Sequence, residues 1–146
     1  MNENKKNKEV ARDVAIIGYG ESGYELANSI NNMGFTVTIL DLNPEAFEKL
    51  PDTHIKNDSV VPIIGDGMSL NDLSNLPKDL STVIVITGND AANLFIGQLA
   101  KQLFRASKII CKINNEKLRS LCENKNIISY SPITLFNEKI LSVIWG

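Results

Sequence analysis

Six short apolar runs rich in β-branched residues recur along the chain, and between them the apolar positions shift to helical spacing. The runs are Val14–Ile17, Phe35–Leu40, Val60–Ile64, Val83–Thr87, Ile109–Ile113 and Ile127–Ser129. Strands this uniformly apolar are what a parallel sheet needs when helices cover both of its faces. After the first run, Leu26, Ala27, Ile30 and Met33 follow one another at helical intervals until Gly34 supplies a stop. Pro44 opens a second helix, where its missing N–H costs nothing. Asp90 reads as the N-cap of "AANLFIGQLAKQLF", and "NEKLRSLCEN" as an amphipathic piece behind the fifth strand. Pro132 starts a last helix with Ile133, Phe136, Ile140 and Val143 on one face. This alternation predicts an α/β fold, a Rossmann-type doubly wound six-stranded parallel sheet of strand order 3-2-1-4-5-6 with a C-terminal helix. One domain is expected over residues 13–146, behind a disordered polar arm at 1–12, with the ligand crevice above strands 1 and 4.

Composition narrows the function classes. An apolar fraction of 43% and a charged fraction of 22% are ordinary for a globular protein. A net charge of −2 gives no whole-chain attraction to nucleic acid or anionic lipid. No apolar run approaches the roughly 20 residues that span a bilayer, so direct membrane insertion is not expected. Cys111 and Cys122 form no CxxC pair and no histidine follows at zinc-ligand spacing, so both read as packing residues of a cytoplasmic protein and no metal site is expected. His54, the only histidine, lies in a polar loop and reads as a solvated bystander.

The chemistry concentrates in "VAIIGYGESGYELANSINNMGFTVTILD". Gly18-Tyr19-Gly20-Glu21-Ser22-Gly23 is a GxGxxG motif between the first strand and the first helix. Gly18 permits the tight exit from the strand, Gly20 lets a pyrophosphate approach the backbone, and Gly23 lets helix and sheet pack closely. The helix N-terminus then offers its N–H groups to phosphate oxygens. Asp41 ends the second strand, where a carboxylate accepts both ribose hydroxyls of an adenosine; capping the Pro44 helix is the alternative role. Leu42 and Asn43 bring no cation for a 2′-phosphate, which favours NAD over NADP. Asp66 and Gly67 follow the third strand, either facing an adenine amino group or merely making a turn. Thr87 and Gly88 close the fourth strand beside the switch point. No tyrosine–lysine pair or other acid–base couple accompanies these residues, so no catalytic residue is assigned. A small NAD-dependent oxidoreductase, or a cofactor-binding fragment of one, is the alternative function.

The blocks "VAIIGYGESGYELANSINNMGFTVTILDLNPE", "VVPIIGDGMSLNDL", "VIVITGNDAANLF", "CKINNEKLRSLCEN" and "IISYSPITL" occur in an order and spacing that resembles the N-terminal nucleotide-binding domain of the TrkA/KtrA family. That domain, called RCK-N or KTN, regulates potassium transport, and the likeness covers roughly residues 13–144. It implies a cytoplasmic regulatory subunit that binds NAD(H), ADP or ATP and assembles into dimers or rings beneath a membrane potassium channel or transporter. It also implies that Gly18, Gly20 and Gly23 hold phosphates, Asp41 the ribose and Asp66 the adenine, with Thr87 and Gly88 on the crevice floor and Lys112 facing the phosphates. Tyr19, Glu21, Ser22, Leu42 and Gly67 complete the expected lining. Three departures follow from the comparison. Glu21 stands where ATP-sensing members often carry arginine, and Ile133 where they often carry glutamate, so NAD(H) or AMP/ADP is favoured over ATP. The chain also ends at "LSVIWG" where many relatives continue into a C-terminal RCK-C domain, as a stand-alone or truncated form would. The last helix and the helix at 91–104 are apolar around much of their girth, so each is expected to be buried on two sides, by the sheet and by a second protomer, in a homodimer or larger ring that uses both helices.

Overall fold

The structure, a computed structural model, describes residues 13–106 and 108–146, the side chain of Glu21 excepted. The polar arm expected at residues 1–12 lies outside the described residues. Among the described residues, β1 (Asp13–Ile17), β2 (Thr36–Asp41), β3 (Val60–Ile64), β4 (Thr82–Val85), β5 (Lys108–Lys112) and β6 (Ile128–Tyr130) form one parallel sheet. Its order is β3-β2-β1-β4-β5-β6, as the hydrophobic pattern predicts. The connections hold α1 (Gly20–Asn32), α2 (Asp52–Lys56), α3 (Leu70–Leu73), α4 (Asp90–Leu103) and α5 (Glu116–Asn124), with α6 (Pro132–Trp145) at the end.

The alternation of side chains along each strand divides the core into two layers. Val14 and Ile16 of β1 join Val37, Ile39, Ala27 of α1 and Leu50 on one face. Ala15 and Ile17 join Leu40, Val83, Val85 and the α4 residues Leu94, Ile96 and Ala100 on the other. Ile16 pairs in register with Ile39 on one side and Ile84 on the other, so the centre of the sheet is apolar along its whole width. Two buried faces in one strand explain why β1 and β4 read as unbroken apolar runs. The switch point therefore falls between β1 and β4, whose outward neighbours lie on opposite sides.

Several boundaries differ from the sequence reading. β4 ends at Val85, not Thr87, because the Thr87 N–H leaves the ladder for the side chain of Asn93, 3.0 Å away. Pro44 opens only a 3-10 turn, Pro44–Phe47, and residues 52–56, expected as loop, form α2. Asn89, not Asp90, caps α4: its side chain accepts from the Ala92 N–H at 2.9 Å. Met33 lies past the end of α1 and is 72% exposed.

The largest difference is α6. None of its residues is buried, so the sheet covers neither side of it. Phe136, Leu141, Val143, Ile144 and Trp145 stand more than half exposed. α4, by contrast, buries Leu94, Ile96, Gly97 and Ala100 in its own domain and leaves Phe95 as its large exposed apolar residue.

Candidate functional site

The C-terminal ends of β1, β2, β3 and β4 open into a cleft of about 380 Å³, a size suited to a small organic ligand. Its near wall is the turn from β1 into α1. Gly18 leaves the strand at φ +88°, and a Cβ there would lie 2.9 Å from the Thr87 nitrogen. The loop and the end of β4 can approach this closely only around glycine. Gly20 follows at φ +38° with open space around it, on the cleft side of the loop. α1 starts there without a side-chain cap, so its first N–H groups have no intrahelical acceptor and meet the cleft as an anion-favouring end.

Tyr19 anchors this loop. Its ring is buried against Phe47, with centroids 5.7 Å apart, and edge-on to Tyr24 at 6.1 Å. The hydroxyl is buried without a hydrogen-bond partner, and burial, with Tyr24 adding to it, pushes the phenol up to about 12. Gly23 packs behind the loop, where a Cβ would stand 3.1 Å from the Gly18 oxygen, and it does not line the cleft. A Cβ there would also stand 3.5 Å from the Ile86 side chain, so the residue is set where helix meets sheet and away from the phosphate place expected for it. Ser22 is exposed in the first turn of α1 and also off the cleft, while the expectation for the Glu21 carboxylate lies outside the described residues.

Asp41 closes the second wall. Its Oδ2 accepts from the Tyr19 N–H at 2.7 Å and its Oδ1 from the Asn43 N–H at 2.8 Å. The carboxylate thus ties the end of β2 to the glycine loop. An ionised carboxylate has about four acceptor positions, so two remain for ribose hydroxyls. The capping role considered for Asp41 belongs to Asn43, whose side chain accepts from the Glu45 N–H at 3.1 Å.

Asp66 and Gly67 make the third wall. The Asp66 Oδ1 accepts from the Met68 N–H at 2.9 Å, a turn-forming contact, and the Asp66 N–H donates to Asp72 Oδ2 at 2.7 Å. A Cβ on Gly67 would come within 2.6 Å of Ile17, so this loop too needs glycine to lie on β1. Leu42 and Met68, 69% and 50% exposed, give the cleft two apolar lips.

Thr87 and Gly88, at the end of β4, also line the cleft. What sequence reasoning missed is the residue that holds them. Asn93 is fully buried on α4, and its Oδ1 accepts from both the Thr87 N–H, at 3.0 Å, and the Thr87 hydroxyl. Its Nδ2 donates to the Thr87 carbonyl at 3.1 Å and the Lys112 carbonyl at 2.8 Å. An asparagine inside the otherwise apolar stripe of "AANLFIGQLAKQLF" was the available signal. Lys112 itself is half-buried on β5 and does not line the cleft; it enters the site through its carbonyl alone. Both cysteines are buried and unpaired with each other, and burial pushes the Cys111 thiol up to about 12, Cys122 adding to the shift. Among the described residues there is no cluster of three or more potential metal ligands and no helix long and apolar enough to cross a membrane.

Comparison with known proteins returns the same fold. The family model of the TrkA-N domain matches residues 14–129. Among curated proteins, a Trk system potassium uptake protein TrkA of Mycobacterium tuberculosis is 23% identical over 107 residues, which cover 71% of this chain and 46% of the relative. The chain therefore spans about half the length of the curated relatives it matches. The TrkA-N domain of inner membrane protein ybaL from Escherichia coli superposes with a TM-score of 0.76 at 12% identity, over 92% of this chain and 98% of that one. The Kef CTD of Shewanella denitrificans in its AMP-bound form gives 0.70 at 17% identity, covering 92% and 82% of the two chains. GsuK bound to ADP gives 0.72 at 20% identity over 92% of this chain and 34% of its own, and the NAD-bound GsuK channel 0.65 at 13% over 87% and 22%.

Proposed function

The chain belongs to the TrkA-N domain family, and we propose that it is a regulatory nucleotide-binding module of a potassium uptake or channel system. NAD(H), AMP or ADP binds in the cleft between β1 and β4, and binding changes how protomers meet. Phosphate oxygens take the Gly18–Gly20 loop and the α1 N-terminus, the ribose takes Asp41, and the base lies between the apolar lips Leu42 and Met68 with Asp66 at its edge. The cleft itself carries this reading. Its glycine-dependent approaches at Gly18 and Gly67, its carboxylate at the end of β2 and its apolar lips converge on one space of about 380 Å³. Solved structures with similar folds bound to NAD, ADP and AMP support the choice of ligand.

The nucleotide is read and not reacted. Asp41 and Asp66 already accept backbone N–H groups, which suits holding a ligand better than moving a proton. α6 supplies the surface through which protomers meet, so the module works as a homodimer or a larger ring at the cytoplasmic side of a membrane potassium transport subunit. Phe95, exposed on α4, is a second apolar position available for contact between protomers. Thermal unfolding with NAD, NADH, AMP, ADP, ATP and NADP tests the ligand. A nucleotide at a hundred times its Kd stabilises the fold by about 2.7 kcal/mol, which raises Tm by several degrees in a domain of this size. NAD(H), AMP or ADP should give that rise and NADP should not. A panel with no shift would remove the nucleotide from this reading.

A further inference from the structure

The N-terminal turn of α4 reaches in two directions at once. Towards the cleft, Asn93 occupies all of its hydrogen-bonding capacity on Thr87 and Lys112. The orientation of its amide is fixed, because two carbonyls face one end and an N–H and a hydroxyl face the other. Away from the cleft, one turn earlier, Asp90 Oδ2 accepts from the backbone N–H groups of Asn114 and Asn115, at 3.0 and 2.8 Å. The Asn114 side chain in turn accepts from the Ser131 hydroxyl at 2.9 Å. Ser131 is 2% exposed, and the same hydroxyl accepts from the Thr134 N–H at 3.1 Å, capping α6. The Ile113 N–H to Tyr130 carbonyl bond, 2.9 Å, runs alongside as a backbone brace. Hydrogen bonds joined through the first turn of α4 and the backbone of Asn114 therefore lead from the cleft floor to the foot of the exposed apolar helix.

We propose that Asn93, Asp90, Asn114 and Ser131 are positioning residues that transmit the state of the cleft floor at Thr87 to the N-terminal turn of α6. This rests on the reading of the cleft as a nucleotide site and names the residues through which that site is regulated. Asn93 and Asp90 are joined through the backbone of the first turn of α4, and Asp90, Asn114 and Ser131 through hydrogen bonds, so a shift of Thr87 by a ligand moves α4, then the 112–115 turn, then the cap of α6. The elements flanking this path are rigid: α4 is buried on β5, where a Cβ on Gly97 would come within 2.5 Å of Cys111 Sγ. A displacement at its first turn is thus passed on and not absorbed. The weakest member is Asn114, which is exposed and joined to Ser131 by a single bond.

Amide hydrogen exchange of the full chain, read by NMR with and without saturating AMP, tests this with Asn114→Ala. That variant removes the bond to Ser131 and leaves the cleft, the Asp90 contacts and the α6 cap in place. In the unaltered chain AMP should slow exchange several-fold at Tyr19 and Thr87 and also at Thr134 and Leu135. In Asn114→Ala the slowing should persist at Tyr19 and Thr87 and vanish at Thr134 and Leu135. Equal slowing of α6 in both proteins, or none at α6 while the cleft responds, would overturn the connection and leave the nucleotide site standing. If AMP slows no amide at all, it is the ligand reading that fails, and a ligand-free arm decides the connection. Thr87→Val, which keeps the side-chain shape but loses the hydroxyl, should speed exchange at Thr134 and Leu135 only when Asn114 is present. The same speeding in Thr87→Val with Asn114→Ala would overturn it, as would none in either.

Discussion

Gly18 and Gly20 both hold positive φ, yet only Gly18 is hemmed in, with the Thr87 and Ile86 backbone about 3 Å from where a Cβ would stand. Gly20→Ala therefore meets only the backbone penalty, about 1–2 kcal/mol. Gly18→Ala adds an overpacking cost against a backbone that cannot give way, about 1–3 kcal/mol more. Urea unfolding should rank the two in that order, and equal costs would show that the approach of loop to β4 is looser than described. Asp41 has a different balance, because its carboxylate serves the loop and, in the proposed complex, the ribose. Asp41→Ala should weaken AMP or NAD by about 1–2 kcal/mol, on the scale of hydrogen bonds to a charged group. Calorimetry with an unchanged Kd would remove Asp41 from the ligand. Gly18, Gly20 and Asp41 were legible in the sequence because each answers a local demand: a turn that only glycine allows, and an acid at a fixed distance behind it. Asn93 was not legible. Its value depends on the ends of β4 and β5 lying side by side, which is decided by the whole sheet.

At the scale of elements, apolar periodicity located the strands, most plainly β1 and β4, whose burial on both faces demands apolar residues along almost their whole length. It misplaced their ends, which are decided by polar contacts such as Thr87 to Asn93. The cap of α4 shows the same limit: Asn89 and Asp90 are both competent caps, and Asp90 is drawn off by the Asn114 and Asn115 N–H groups. The packing of α4 on β5 carries its own prediction, through the buried Cys111 thiol. Burial raises it from 9.0 to about 12 in the folded chain. The folded state keeps the thiol neutral where the unfolded state ionises it, so its contribution is complete below pH 9 and is lost as pH climbs from 9 towards 12. At about pH 10 that loss is about 1 kcal/mol, and Tyr19, raised from 10.0 to about 12, steepens the decline at higher pH. Urea unfolding at neutral pH and at about pH 10 should show the fall in the unaltered chain. In Cys111→Ala the same interval should be flatter, whatever the substitution costs at neutral pH. An identical alkaline slope in both would place the titration elsewhere.

For the whole molecule the decisive feature is that α6 buries none of its residues in its own domain. The pattern of Ile133, Phe136, Ile140 and Val143 announces an amphipathic helix, but periodicity cannot say which body covers the apolar side. Here the sheet covers neither side, and Phe136, Ile140, Val143 and Ile144 border an apolar hollow of about 280 Å³ with Lys139 at its rim. Exposed contiguous apolar surface of this kind is what protein–protein or membrane contact sites present. A second copy is the occupant the regulatory reading requires, since an isologous contact lets one helix face meet itself. Phe136→Asp places a charge in the middle of that face and touches nothing in the sheet. Analytical ultracentrifugation should find the unaltered chain as a dimer at tens of micromolar and Phe136→Asp as a monomer. The Tm of the unaltered chain should rise with protein concentration and that of the variant should not, because association stabilises only the folded state. The variant should still bind AMP, since the cleft lies at the opposite end of the hydrogen-bonded path from α6. A monomeric unaltered chain, or a variant that remains a dimer, would move the association surface away from α6 and with it the place where the bound nucleotide is read.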